Sequence, residues 1–191
     1  MFERGMPLAS CILMDIRSAA GRCLLALVCA LALSPAAVAG EFSAVLNGHS
    51  FHLGASQHWN ENNSGLGLEY EFTSRSRWHK RLMVNGFRDS NDQMSYMAGG
   101  GLYRNVFATQ RLHGFYVDAG INAFLMTRRD VNDNRPFPGA LPSLAIGNDY
   151  VGVNLTYLPS IAIEKFMDEK IADDTVSGIV FLQVKINISK R

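Results

Sequence analysis

The chain is poor in cysteine, has no excess charge of either sign, and lacks a long apolar run after its first forty residues. All three cysteines, Cys11, Cys23 and Cys29, lie within the first 29 of 191 residues. A mature chain that begins later has no thiol, which excludes disulfides, thiol catalysis and cysteine-based metal sites. Basic residues number 18 and acidic residues 17, for a net charge of +1. Phosphate-backbone binding needs a clear basic excess, so nucleic acid is not expected as a partner. The motifs HExxH, GxxxxGK[ST] and GxSxG are absent, so the sequence predicts neither a bound metal nor a cofactor.

The first 39 residues read as an export signal. Arg17 and Arg22 precede an uncharged apolar run from Cys23 to Leu33, followed by Ser34-Pro35 and then Ala37-Val38-Ala39 before Gly40. That order of charge, short apolar stretch and Ala-x-Ala site predicts cleavage after residue 39, and the run is too short to span a bilayer as a helix. The bulky Val28 before Cys29 does not suit a lipoprotein cysteine. The expected organisation is a cleaved signal peptide over 1–39 and a single domain over 40–191, with 15 basic and 15 acidic residues left in the latter.

That domain alternates with the period of β-strands. Leu66, Leu68, Tyr70 and Phe72 share one face while Gly65, Gly67, Glu69 and Glu71 share the other, and Val180, Leu182, Val184, Ile186 and Ile188 repeat the pattern near the C-terminus. Eight strands are expected, over about 42–56, 65–74, 78–88, 94–106, 112–128, 141–147, 150–158 and 176–188. Alternation alone fits two architectures. In a soluble sandwich or lipocalin-like barrel the apolar face points inward; in a transmembrane barrel it points at lipid and the polar face fills the lumen. Glu69, Glu71, Asp118, Asn122, Asn154, Thr156, Gln183 and Lys185 on the polar face, beside many glycines, favour the second. The expected fold class is therefore all-β, an eight-stranded antiparallel transmembrane barrel. Its interior holds side chains or one slim ligand. The segment 159–175, with Asp168, Glu169, Asp173 and Asp174, reads as a solvated loop.

Few residues suggest chemistry. Asp89-Ser90 falls where the third strand should end, as a plain turn or as part of a rim site. Among the histidines His49, His52, His58, His79 and His113, His52 and His58 reach the same rim as that turn, while His79 and His113 belong to the opposite one. Ala98-Gly99-Gly100-Gly101 inside a strand marks a kink or a place where a slim apolar ligand extends. Pro136, Pro138 and Pro142 deny ladder donors at the start of a strand, leaving either an ordinary loop or a sideways opening for lipid. Arg129 and Asp130 either touch head groups or lock the rim.

Three blocks carry a resemblance. The first is Trp59-Asn60-Glu61 leading into Gly65-Leu66-Gly67. The second is Phe87-Arg88-Asp89-Ser90 with Ala98-Gly99 and Gly101. The third is Thr127-x-Arg129-Asp130, Pro136-x-Pro138, Leu141-Pro142 and Val151 through Pro159. Over roughly residues 50–159 the chain resembles the PagP-type lipid A palmitoyltransferases of the Gram-negative outer membrane. The resemblance implies an outer-membrane enzyme, acting as a monomer without cofactor. It would move a palmitoyl chain from a glycerophospholipid donor to lipid A as acceptor, amid outer-membrane lipid. It places His52, with His58 as second choice, together with Asp89 and Ser90 at the catalytic rim, Asp orienting His. It places Gly99 and Gly101 at the acyl pocket, and Pro136, Pro138 and Pro142 at the lipid entry. Three departures stand out: Gly100 replaces a usual aromatic, only Gly40 to Phe51 precedes His52 where members carry an amphipathic helix, and the end is Ile188-Ser189-Lys190-Arg191 instead of an aromatic residue. A non-catalytic small barrel and a lipid A deacylase are the competing expectations.

Overall fold

A computed structural model describes residues 40–56, 58–161 and 176–189. The expected signal peptide and most of the expected 159–175 loop lie outside them. Eight strands follow one another: β1 (Gly40–Leu53), β2 (Asn62–Phe72), β3 (Trp78–Arg88), β4 (Met94–Ala108), β5 (Tyr116–Thr127), β6 (Phe137–Gly147), β7 (Val151–Pro159) and β8 (Gly178–Asn187). Each pairs antiparallel with its neighbour, and β1 pairs with β8 to close the barrel. Closure leaves no terminal strand without a partner; the ladder is interrupted between the first part of β6 and the end of β7.

The side chains face the opposite way from those of a soluble sandwich. Leu66, Val84, Tyr96, Ile121 and Val106 are among the exposed large apolar residues, each more than half exposed. Among the described residues, sixteen buried side chains are polar or charged and six are hydrophobic, so most of the buried positions belong to the hydrophilic faces of the strands. The alternation thus resolves with grease outward.

The two rims differ. The described turns β2–β3, β4–β5 and β6–β7 are short, and both β1 and β8 have their chain-terminal ends at that rim. The β1–β2, β3–β4 and β5–β6 loops, the last over residues 128–136, occupy the opposite rim. The described connections of the first rim are shorter on average, although β4–β5 (109–115) is longer than β3–β4 (89–93); such an asymmetry is typical of outer-membrane barrels.

The interior is built in two storeys. Toward the short-turn rim, Arg81 is 1% exposed and its guanidinium lies 2.7 Å from Glu71, 2.6 Å from Asp118 and 3.7 Å from Glu69. Lys185 Nζ donates to Glu69 at 2.9 Å, and the Tyr103 ring lies under the Arg81 guanidinium at 4.1 Å. Above this ionic layer, Tyr103 Oη donates to Asn122, Asn122 Nδ2 donates to Ser143, and Ser143 Oγ meets Thr156 Oγ1. Above that polar floor the wall turns apolar, with Met83, Phe87, Phe124, Met126 and Phe181 facing a cavity of about 170 Å3.

The strand boundaries depart from the sequence expectation at β5 and β6. β5 begins at Tyr116 and not at 112, because a helical turn occupies Arg111–Gly114. β6 begins at Phe137, four residues before the expected 141 and so across Pro138 and Pro142. At β6 the reason is the direction of the missing donors. Positions 138 and 142 have the same parity, so both prolines lack their N–H on the same edge of the strand. β6 pairs with β5 along its whole length, whereas with β7 it pairs only from Ser143 to Gly147. The prolines face the edge that has no ladder, and the strand loses nothing by carrying them.

Candidate active site

The long-loop rim brings a small set of polar side chains over the apolar cavity. His52 arrives there through an irregularity in β1. Ser43, Val45 and Asn47 are buried, but after a register shift between Asn47 and His49 it is Ser50 that is buried. A bulge at Gly48 changes which parity faces inward, so that His52, only 3% exposed at its side chain, points inward. Regular pairing throughout would have turned this imidazole outward.

Ser90 is placed by the turn after β3. The Asp89 carboxylate accepts from the Asn91 and Gln93 backbone N–H groups at 2.9 and 3.0 Å and from Ser95 Oγ at 2.8 Å. It is 2% exposed and faces Arg128 at 3.8 Å. Asn60 ties the β1–β2 loop to this turn, its backbone N–H donating to Ser90 O and its Nδ2 to Asp89 O. The result is a contact between residues far apart in sequence: His52 Nε2 and Ser90 Oγ lie 3.1 Å apart. The Trp59 indole stacks on the imidazole with centroids 5.6 Å apart and planes 16° from parallel.

The expected residues are not all in the expected places. His58 is exposed, and the imidazole against Ser90 is that of His52. Asp89 holds the Ser90 turn, as the bonds above show; the carboxylate set against His52 belongs to Glu61, whose Oε1 lies 3.4 Å from Nδ1. Glu61 also accepts from the His52 backbone N–H and lies 3.3 Å from His49 Nε2. The backbone N–H of His52 is the main cause holding the Glu61 carboxyl below its ordinary value; desolvation opposes it, and the His52 and His49 imidazoles add smaller lowering effects. This anchor of the β1–β2 loop is therefore fully present above the ordinary glutamate pKa and weakens only as pH falls through the lower folded value.

Asp130 pairs with Arg128, at 3.1 and 2.9 Å in a two-pronged contact, and not with Arg129. It also accepts from Asn91 Nδ2, so it locks the β5–β6 loop to the Ser90 turn. His79 sits at the other rim against Glu71.

Gly99 and Gly101 face inward without themselves lining the cavity. A Cβ at Gly99 would come within 2.6 Å of Phe124 Cβ, and one at Gly101 would meet the Asn122 side-chain oxygen and come within 2.6 Å of the Tyr103 ring. Their lack of a side chain gives Phe124, Asn122 and Tyr103 room to cross the lumen and form the cavity wall and floor. Pro138 and its neighbours Gly139, Ala140 and Leu141 line the cavity from β6, and there β6 has no ladder to β7. The slot thus meets an interrupted stretch of wall at the rim that carries His52 and Ser90.

Fold and site together define a class: a small closed barrel with apolar outer wall, a filled lower lumen, and an inward His–Ser pair above a slim apolar slot. Residues 44–165 match the model of the family described as "Antimicrobial peptide resistance and lipid A acylation protein PagP", and the chain belongs to that family. A relative from Methylobacillus flagellatus, described as "Lipid A acyltransferase PagP", is 28% identical over 96 residues, which cover 50% of this chain and 50% of the relative. The chain thus spans about half the length of the curated relative it matches.

Proposed function

We propose that this protein is an outer-membrane acyltransferase that moves a palmitoyl chain from a glycerophospholipid to lipid A, exported by a signal peptide cleaved after residue 39. The observation that supports it best is the 3.1 Å contact between His52 Nε2 and Ser90 Oγ at the mouth of an apolar slot. The apolar outer wall, with residues such as Leu66 and Ile121 fully turned outward, suits hydrocarbon, where a closed barrel satisfies every backbone group.

In this reading His52 is the base, Ser90 the hydroxyl it activates, and Asp89 the group that fixes the Ser90 turn. The donor's acyl chain lies in the slot against Met83, Phe124 and Phe181, entering sideways past Pro136, Pro138 and Pro142, where β6 and β7 are unpaired. Ser90 Oγ–H donates to Nε2 as the oxygen attacks the donor ester carbonyl. The proton then goes from the imidazolium to the departing lysophospholipid oxygen. A second cycle, with the lipid A hydroxyl in place of water, passes its proton to His52 and returns it to Ser90 as the new ester forms.

Mass spectrometry of lipid A from cells with and without the gene tests this reading directly. The expected result is a gain of one palmitoyl mass, with the protein verified in the outer membrane. Unchanged lipid A would remove the enzyme reading in favour of a structural or lipid-binding barrel, and loss of an acyl mass would identify a deacylase.

The floor sets a second expectation. Enlarging Gly101 to Ala or Met displaces Asn122 or Tyr103 toward the slot and raises its base. Overpacking against the end of a long chain costs about 1–3 kcal/mol, or roughly five- to 150-fold in selection against it. Transfer should shift toward shorter acyl donors in a mixed-phospholipid assay; an unchanged chain profile would place the slot's base elsewhere.

A further inference from the structure

The rim holds a carboxylate for which the His–Ser pair alone gives no role. We infer that Glu61 is the positioning residue of His52: it holds the imidazole with its proton on Nδ1, so that the Nε2 lone pair faces Ser90. The inference rests on the acyltransferase reading for its catalytic consequence, but the placement of the proton does not.

Three independent contacts fix this arrangement. Glu61 Oε1 takes both the His52 backbone N–H at 3.1 Å and the near approach of Nδ1 at 3.4 Å, so one oxygen addresses main chain and ring of the same residue. Trp59, two positions earlier, covers one face of the ring nearly in parallel. On the far side of the ring, Nε2 meets Ser90 Oγ. A carboxylate accepts and cannot donate when ionised, so the nitrogen beside it carries the hydrogen and the opposite nitrogen is left as acceptor. Base, orienting acid and hydroxyl then lie in the order that nucleophile activation requires. At 3.4 Å the buried Nδ1 approaches the carboxylate without making a hydrogen bond to it in this geometry, the long kind of contact common before substrate binds.

Asp89 cannot take this place while it caps its own turn. Its two oxygens are taken up by Asn91 N, Gln93 N and Ser95 Oγ. Among the described residues, the other charged groups of this rim include His49, which shares Glu61 from the opposite oxygen, and Arg128 and Asp130, which pair with each other while Arg128 faces Asp89. The rest are Arg88, paired with Asp92, and Arg129, Asp133 and Arg135 of the β5–β6 loop; the carboxylate set against the His52 ring is that of Glu61. Glu61 is therefore the charge that acts on His52 most directly. As a neighbouring anion it favours the imidazolium, the form His52 takes after accepting the proton.

The test uses Glu61→Gln, which keeps size and loses charge, beside Glu61→Asp. It uses the full mature protein in detergent micelles with phospholipid donor and lipid A acceptor. Heat-modifiable electrophoretic migration checks that each variant is a folded barrel. In Glu61→Gln, kcat should fall about 10- to 100-fold, no more than the low end of the roughly 100- to 10,000-fold that general acid–base catalysis supplies, because the base itself is kept, with KM little changed. Glu61→Asp should recover part of the loss. Nitrogen-15 NMR of labelled histidines, with His52 assigned by its own variant, should show hydrogen on Nδ1 in the wild type. The His52 titration should move to lower pH in Glu61→Gln.

An unmoved titration in folded Glu61→Gln, or an unchanged kcat, overturns the inference. Should the wild type transfer no acyl chain while the NMR titration still moves, the acyltransferase reading fails and the positioning of His52 by Glu61 stands.

Discussion

Ser90→Ala is expected to lower acyl transfer by roughly three orders of magnitude or more while leaving the barrel folded. The size follows from the place of the hydroxyl: its oxygen is the atom that His52 Nε2 meets at 3.1 Å, and removal of a nucleophile from a unit of this kind removes most of what the unit supplies. The folding outcome follows from what Ser90 does otherwise. Its backbone carbonyl receives Asn60 N–H and is untouched by the change, so the cost in stability is about 1 kcal/mol or less, that of one partly buried hydrogen bond. His52→Gln should lose a similar amount of activity, and the double variant little more, because the two groups act as one device. The measurement is transfer of a radiolabelled acyl chain in micelles, with folding followed in parallel. Ser90→Ala with full activity would mean that the hydroxyl only happens to lie beside the imidazole.

How much of this was legible in the sequence depended on period and parity. The period-2 alternation of Leu66 to Phe72 and of Val180 to Ile188 was visible because each strand keeps one chemistry per face, and all eight strands are present. The facing of those strands was legible through Glu69, Asp118 and Gln183, which no water-facing coat requires at such density. Strand limits failed at β6, because the prolines read as breakers until the pairing shows that the donors they lack fall on an edge with no ladder. The site was legible only in part. Asp89 and Ser90 are adjacent and could be named from one turn, whereas the His–Ser contact spans 38 positions and depends on a bulge. Gly48 was the available clue, a glycine inside an alternating strand that permits the change of parity bringing His52 inward. Glu61 escaped assignment for the same reason. It lies in a loop without periodicity, and only the tie from Asn60 to the Ser90 turn brings that loop over the slot.

Arg81→Met is expected to produce the largest loss of stability of any single change considered. Three carboxylates converge on this guanidinium: Glu71 at 2.7 Å, Asp118 at 2.6 Å and Glu69 at 3.7 Å. Glu69 and Asp118 are almost wholly buried, and Lys185 Nζ, 2.9 Å from Glu69, is the other cation of the cluster among the described residues. With Arg81 removed, Lys185 is left for three acids, with His79 beside the partly exposed Glu71. Breaking a buried ionic network by removing one partner costs about 3–5 kcal/mol, mostly as the penalty of the charge left behind. The Tyr103 ring would also lose the guanidinium that lies over it. Unfolding in urea with micelles present should therefore move to markedly lower denaturant concentration. Asp118→Asn in the same chain should restore part of the loss, because its acceptor no longer needs a cation and Asn105 still reaches it. Such neighbours couple by about 0.5–3 kcal/mol in double-mutant cycles. The two storeys of the lumen separate this effect from catalysis: the polar layer of Asn122, Ser143 and Thr156 stands between Arg81 and the slot, so folded Arg81→Met at low temperature should keep its transfer rate within a few-fold. A variant as stable as the wild type would show that water entering from the short-turn rim solvates these acids and that the ionic layer contributes little to holding the barrel together.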